Sequence, residues 1–371
     1  MEDKRPKPIR CRAAVCRAAG EPLAVEEVVV DPPKAHELRL KIVCTSLCHS
    51  DVTFWRMKDF PGVFPRIFGH EAFGVVESVG EHVEGFAAGD AVVPTFLAQC
   101  SECADCRSPR SNVCSKYRFA VRPGMPRDDT TRFHDGDGNP IHHLFGVSSF
   151  SEYTVVDVTQ GSERHGSWPR SSRDLRLLSS ASAPWDWRKE VRRDTLHQPE
   201  RTWGENCEPG DLLSVLFDCF TGGRPRDLVN ACVEIVRLDT CFFHDKQVII
   251  EMTDGGADYC FECIGLAALM NDAFQSSRPG WGKTIILGVE MHGAPLTISS
   301  LEILHGKCVM GSLFGGVKPK QDIPILADKY LNKELELDKF ITHEVGLEDI
   351  NTAFDLLLQG KSLRCTIWMD R

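Results

Sequence analysis

The stretch Cys100-Ser101-Glu102-Cys103-Ala104-Asp105-Cys106, completed by Cys114, sets four thiols at the spacing C-x2-C-x2-C-x7-C. Four thiolates in one short loop can close a tetrahedron around a single zinc ion. A site with four thiolates and no open position is structural rather than catalytic. Chemistry therefore has to be sought elsewhere, and working upstream leads to Cys48-His49-Ser50-Asp51 and Gly69-His70-Glu71. A thiolate and an imidazole both suit zinc, so Cys48 and His70 are candidate ligands of a second ion.

The totals narrow the function classes. A chain of 371 residues can bury two domain cores. With 42% hydrophobic and 26% charged residues the composition is that of a soluble globular protein. The net charge of −10 argues against a nucleic-acid partner, which calls for a basic face. No apolar run reaches the ~18–20 residues of a membrane span. Met1–Arg10 is basic, with no apolar segment after it, so it does not read as a secretory signal. The 16 cysteines are then expected to be metal ligands and reduced thiols, and the expected location is cytoplasmic.

Residues 10–160 read as a β-rich domain. Leu38–Val43, Gly74–Gly80, Gly89–Pro94 and Ser149–Val158 are strand candidates, the middle two Val-rich and bounded by Gly or Pro. Gly124–Pro140 is polar and Gly/Asp-rich and is expected to be an exposed loop, and His134, His142 and His143 to be loop histidines. Residues 247–316 have another character: strand candidates at Ala257–Cys263 and Lys283–Val289 flank a helix candidate at Ala267–Ser276. That order predicts a parallel βαβ unit. The end, 317–371, holds a helix candidate at Asp349–Leu358 and a last strand at Arg364–Met369.

Residues 161–246 fit neither pattern. Gly161–Asn206 holds eight arginines, seven serines and four tryptophans, and neither a helical period nor a strand alternation is sustained there. Cys207, Cys219, Cys232 and Cys241 follow without forming a recognisable unit. Such disagreement between local signals and a global fold marks a segment that is misread or disordered.

Together, the four-cysteine loop, Cys48-His49-Ser50-Asp51, Gly69-His70-Glu71 and Gly80 with Gly89-Asp90 resemble the zinc-containing medium-chain alcohol dehydrogenases, in particular the plant alcohol dehydrogenase-like group. The resemblance covers about residues 10–160 and 248–371. It implies an α/β chain with a chaperonin-10-like β-barrel catalytic domain (1–160, completed by 317–371) and a Rossmann-type coenzyme domain, here incomplete (247–316). It implies oxidation of alcohols or reduction of aldehydes with NAD, usually by a homodimer. Cys48 and His70 then stand as catalytic zinc ligands, Asp51 as the carboxylate that orients His70, and Glu71 beside the metal. Ser50 matches the hydroxyl that takes the alcohol proton. His49, Val289 and Arg364 match cofactor contacts, and Phe96 a wall of the substrate pocket. The relay histidine of the family is replaced by Thr53.

Two expected parts are missing. No Gly-Cys-Gly turn supplies a third zinc ligand after Gln160, and G-x-G-x-x-G, the turn that cradles a dinucleotide pyrophosphate, occurs nowhere. A reading-frame slip accounts for the second absence. Read one nucleotide back, the codons of Trp185-Asp186-Trp187 spell Gly and Leu. With GC-rich codons, Ser180–Trp187 then spells Gly-Leu-Gly-Ala-Val-Gly-Leu. Read one nucleotide forward, His197-Gln198-Pro199-Glu200 can spell Ile-Asn-Pro-Asn. The hypothesis is a splice error, frameshift or faulty gene model across 161–246; an abundant transcript matching that segment in frame would refute the faulty-model version. Two functions stay open: an NAD-dependent zinc alcohol dehydrogenase, or a non-catalytic zinc-stabilised protein from a defective or misread gene. Bound zinc and coenzyme binding discriminate them. Which alcohol is used cannot be read from the sequence.

Overall fold

The computed structural model describes residues 6–59, 62–163, 232–235, 246–290, 293–335 and 337–371. The out-of-frame stretches Ser180–Trp187 and His197–Glu200, and the thiols of Cys207, Cys219 and Cys241, lie outside the described residues. The chain divides into two compact units, 1–183 with 317–371, and 184–316.

The first unit is built on antiparallel strands. In one sheet the order is β4 (Arg66–Ile67), β1 (Ile9–Cys16), β2 (Ala24–Val30), β7 (Phe133–His134), β8 (Pro140–Ile141). In the other it is β10 (Gly161–Glu163), β6 (Ala91–Pro94), β5 (Glu71–Val79), β3 (Glu37–Ser46), β16 (Arg364–Trp368), β15 (Ile341–Gly346), with β9 (Tyr153–Asp157) also on β3. Strand β3 is central. It pairs with β5 from Leu38↔Val79 to Ser46↔Glu71, and two register shifts along that ladder bend the sheet. Leu38, Leu40, Ile42, Val76, Val155, Val156 and Ile367 are buried there, an apolar core of β-branched and leucine side chains. The end of the chain returns to this sheet: β16 runs antiparallel to β3 through Thr366↔Ser46, and helix α7 (Ile350–Leu358) precedes it. Gly80 closes the β5 end, where a Cβ would stand 1.9 Å from the Lys34 carbonyl, so only glycine fits.

Strand candidates at 38–43, 74–80, 89–94, 149–158 and 364–369 all meet strands within a few residues. Three expectations are corrected. Gly124–Pro140 is not simply an exposed loop: Met125, Arg132 and Phe133 are buried, and Arg132 pairs with buried Glu37 at 2.5 Å. The carboxylate partner offsets the cost of taking the guanidinium out of water. His143 is likewise a core histidine, fully buried against the Phe133 ring at 4.9 Å. Gly161–Glu163, which the sequence places in the anomalous segment, forms β10 against β6.

The second unit shows a parallel sheet in the order β11 (Cys232–Ile235), β12 (Tyr259–Glu262), β13 (Lys283–Ile286), β14 (Cys308–Gly311). Helix α4 (Ala267–Ser276) is the crossover between β12 and β13, as the βαβ reading expects. It buries Leu269, Met270, Ala273 and Phe274. Among the described residues no helix is long and apolar enough to cross a membrane.

Candidate active site and metal centres

The sulfurs of Cys100, Cys103, Cys106 and Cys114 lie within 4.8 Å of one another. The Sγ atoms of Cys100 and Cys106, and those of Cys103 and Cys114, are 3.9 Å apart, far beyond a disulfide bond. The loop turns its own amides inward. Cys103 N–H donates to Cys100 Sγ at 3.4 Å, Cys106 N–H to Cys103 Sγ at 3.3 Å, and Tyr117 N–H to Cys114 Sγ at 3.3 Å. Hydrogen bonds from Ser115 and the Cys106 amide pull the Cys103 thiol down to about 5, while burial pushes Cys106 up to about 12. A cluster with one ready thiolate and one reluctant neighbour needs a cation before every sulfur can ionise. The donor set fits zinc. The chain's return holds this lobe from behind: Lys318 Nζ donates to the Cys106 carbonyl at 2.8 Å and Asn112 Nδ2 to Val317 O at 3.1 Å.

The second cluster forms where β3 ends and α1 (His49–Arg56) begins. Cys48 is the N-cap of α1 and Asp51 its third residue. The buried Asp51 carboxylate fastens three parts at once. Its Oδ2 accepts the Cys48 N–H at 3.0 Å, its Oδ1 accepts the Gly69 N–H at 3.0 Å, and Oδ1 also meets His70 Nδ1 at 3.2 Å. The two segments carrying candidate ligands are thus locked by one side chain. Gly69 has φ +89°, and a Cβ there would lie 2.5 Å from Phe150 and from Ser149 Oγ, which makes glycine obligatory. Burial works against the His70 imidazolium, but the Asp51 charge and hydrogen bond hold it well above the usual histidine range.

His70 is followed by Glu71, and the donor atoms of Cys48, His70 and Glu71 all lie within 4.8 Å of one another, all three residues buried. The resemblance sets Glu71 beside the metal, and the fold brings its carboxylate to the thiol and imidazole as a third possible donor. Sulfur, nitrogen and oxygen donors in that number, with a fourth position left over, fit zinc of the catalytic type. Arg364, 4% exposed, pairs with Glu71 Oε2 at 3.0 Å and is no solvated surface charge. His49 is held below the usual histidine range by desolvation and then by the Arg364 charge. Cys48 Sγ is 3.7 Å from Ser50 Oγ, so the hydroxyl faces the cluster. Thr53 Oγ1 donates to the His49 carbonyl at 3.1 Å and is occupied there. Phe96 packs edge-on to the His70 ring at 6.0 Å, and Phe145 does so at 5.2 Å. Val289, 51% exposed, belongs to the second unit, beyond the end of β13.

Sequence reasoning passed over Phe119, Phe145 and Gln160, which line a cleft with Phe96. No motif carries them. Phe145 arrives through a turn with φ +55° and Gln160 through the short helical turn at Val158–Gln160.

A structural four-thiolate lobe and a Cys–His–Glu cluster on one barrel-like unit, with a parallel sheet in the other unit, define a zinc-binding dehydrogenase. Two family models match the chain: the alcohol dehydrogenase GroES-like domain over residues 34–162 and the zinc-binding dehydrogenase domain over residues 237–332. Among relatives, the Arabidopsis thaliana alcohol dehydrogenase-like 7 is 47% identical over 382 residues, covering 98% of this chain and 96% of the relative. Alcohol dehydrogenase class-P of the same plant is 41% identical over 379 residues, covering 97% and 98%. The chain belongs to the zinc-containing medium-chain alcohol dehydrogenase family. Solved structures share its fold: an alcohol dehydrogenase zinc-binding domain protein from Burkholderia ambifaria (TM-score 0.75, 24% identity, covering 98% of this chain and 100% of that one) and benzyl alcohol dehydrogenase from Acinetobacter calcoaceticus (0.71, 21%, covering 97% and 99%).

Proposed function

We infer that the first unit is the zinc-holding, alcohol-binding half of an alcohol dehydrogenase. The observation that carries this is the buried convergence of Cys48, His70 and Glu71 within 4.8 Å. Cys48 and His70 would hold the ion with Glu71 as third donor, and a bound zinc supplies Lewis-acid polarisation of an alcohol oxygen. Asp51 fixes the His70 ring so that Nε2 remains the ligand atom. Ser50, facing the cluster, accepts the proton of the bound alcohol. Thr53, in the place of the family's relay histidine, donates its hydroxyl to the His49 carbonyl and offers no imidazole to take that proton onward. Phe96 and Phe145 shield the His70 ring from water.

NAD is the expected hydride acceptor of the family. The sequence carries no G-x-G-x-x-G turn, so the residues present do not make the usual pyrophosphate cradle, and no step through the nicotinamide is derived. That absence favours a second reading, a zinc-stabilised chain without turnover. Fluorescence titration with NADH, alongside zinc quantitation and alcohol oxidation assays, separates the two. About two zincs per chain with micromolar NADH binding support the enzyme; about one zinc and no NADH binding support the alternative.

A further inference from the structure

Among its described residues the first unit buries four arginines: Arg39, Arg66, Arg132 and Arg364. Three are balanced, Arg39 by Glu77 at 2.6 Å, Arg132 by Glu37 at 2.5 Å and Arg364 by Glu71 at 3.0 Å. Arg66 differs. It is fully buried, and its Nε, Nη1 and Nη2 have no hydrogen-bond partner among the described residues. Its backbone is fixed on both edges. Strand β1 pairs Cys16 with Arg66, and on the other side Arg66 bridges His142. The His142 amide donates to the Pro65 carbonyl at 2.8 Å, and the Ile67 amide donates to the His142 carbonyl at 3.1 Å. Turning the side chain out to water would mean breaking one of these pairings.

The groups beside Arg66 do not balance it either. Burial pulls the guanidinium down only to about 10, so it stays charged at neutral pH. Burial pushes the Cys16 thiol up to about 11, and that thiol donates to the Ala18 carbonyl at 3.0 Å. Desolvation, then the Arg66 charge, holds His142 below the usual histidine range. At neutral pH one neighbour is therefore a thiol and the other an uncharged imidazole. An ionised guanidinium taken out of water with no counter-charge is strongly unfavourable, and the other three buried arginines show how this fold avoids it.

We propose that Arg66 binds a buried monatomic anion, chloride under ordinary conditions, as its counter-ion. The guanidinium offers N–H donors and no acceptor, which suits a small anion. All three nitrogens are enclosed, whereas an organic carboxylate or a phosphate ester would need an open mouth beside them. The site shares no residue with either thiol-bearing metal cluster, so it stands independently of the zinc reading.

The test is thermal melting of the full chain in sodium chloride, sodium bromide and sodium gluconate at equal ionic strength, which holds the screening of surface charges constant. An ion bound only by the folded state raises the melting temperature with its concentration; at about 100 mM chloride or bromide the wild type should melt at least about 2 °C above its value in gluconate. Arg66→Met keeps an apolar stem and removes the charge, so its melting temperature should be the same in all three salts. This variant also subtracts general salt effects, which act on both proteins alike. Crystals of the wild type grown in bromide give a second reading that does not depend on the variant folding: an anomalous bromine peak against the Arg66 guanidinium is expected. The same salt dependence in wild type and Arg66→Met, or only a buried water at the guanidinium in the bromide crystals, overturns the proposal.

Discussion

Asp51 ties together Cys48, Gly69 and His70 through one buried carboxylate. Asp51→Asn keeps one acceptor oxygen but loses the charge that orients the imidazole. Metal affinity at the second cluster should fall roughly ten- to a hundredfold, read by competition with a chromophoric chelator; unchanged affinity would contradict the role given to Asp51. His143 shows a different consequence of burial. Desolvation, then the Arg132 charge, pushes it down to about 3, and its Nε2 accepts the Arg132 amide at 3.2 Å. In the unfolded chain a histidine titrates near ~6.5. The unfolded state therefore takes the proton first, so this stability is full above ~6.5 and drains as pH falls toward the folded value, by up to about 1.4 kcal/mol per pH unit. His143→Gln does not titrate. The stability gap between wild type and variant in urea should narrow from pH 7 to pH 4, whereas parallel profiles would count against it. At this scale the sequence was partly legible. Cys48, His70 and the four thiols announce themselves by chemistry and spacing. Histidine 143 and Gln160 carry no such mark, because their roles come from burial alone.

The elements explain why donors far apart in sequence meet. Helix α1 starts at Cys48, β5 starts at Glu71, and Gly69 lets the chain pass under Phe150 and Ser149. Gly69→Ala places a Cβ within 2.5 Å of both and requires an unfavourable positive φ. A loss of about 1–3 kcal/mol is expected, seen as a lowered melting temperature with reduced zinc at the second cluster. A melting curve like wild type would mean the turn can relax. For the four-thiolate lobe, Cys106→Ser removes a buried sulfur and leaves the backbone carbonyl that receives Lys318 in place. Loss of about one zinc per chain and a lower melting temperature are expected from metal analysis and calorimetry. Strands with alternating or β-branched runs were readable, as were helices α4 and α7, because their periods are local. The burial of Arg132 was not, because it depends on Glu37 across the sheet. A polar Gly/Asp-rich stretch gives no hint of a partner 95 residues away.

For the whole molecule, family membership and catalytic competence separate. The matched ranges 34–162 and 237–332 and the relatives' identities establish descent. Among the described residues, both groups of side chains that could hold a metal come from residues 48–114, in unit one. The break after Gln160 was visible in composition because arginine, serine and tryptophan replace the regular apolar pattern. What the fold adds is the distance: the donor atoms of Glu71, which the family resemblance places beside the metal, lie within 4.8 Å of those of Cys48 and His70. The most direct test is zinc per chain, measured by mass spectrometry on purified wild type, His70→Ala and Cys103→Ser. Two intact clusters predict about two zincs for wild type and about one for each variant. About one zinc in wild type, unchanged by His70→Ala, would contradict a metal at Cys48, His70 and Glu71.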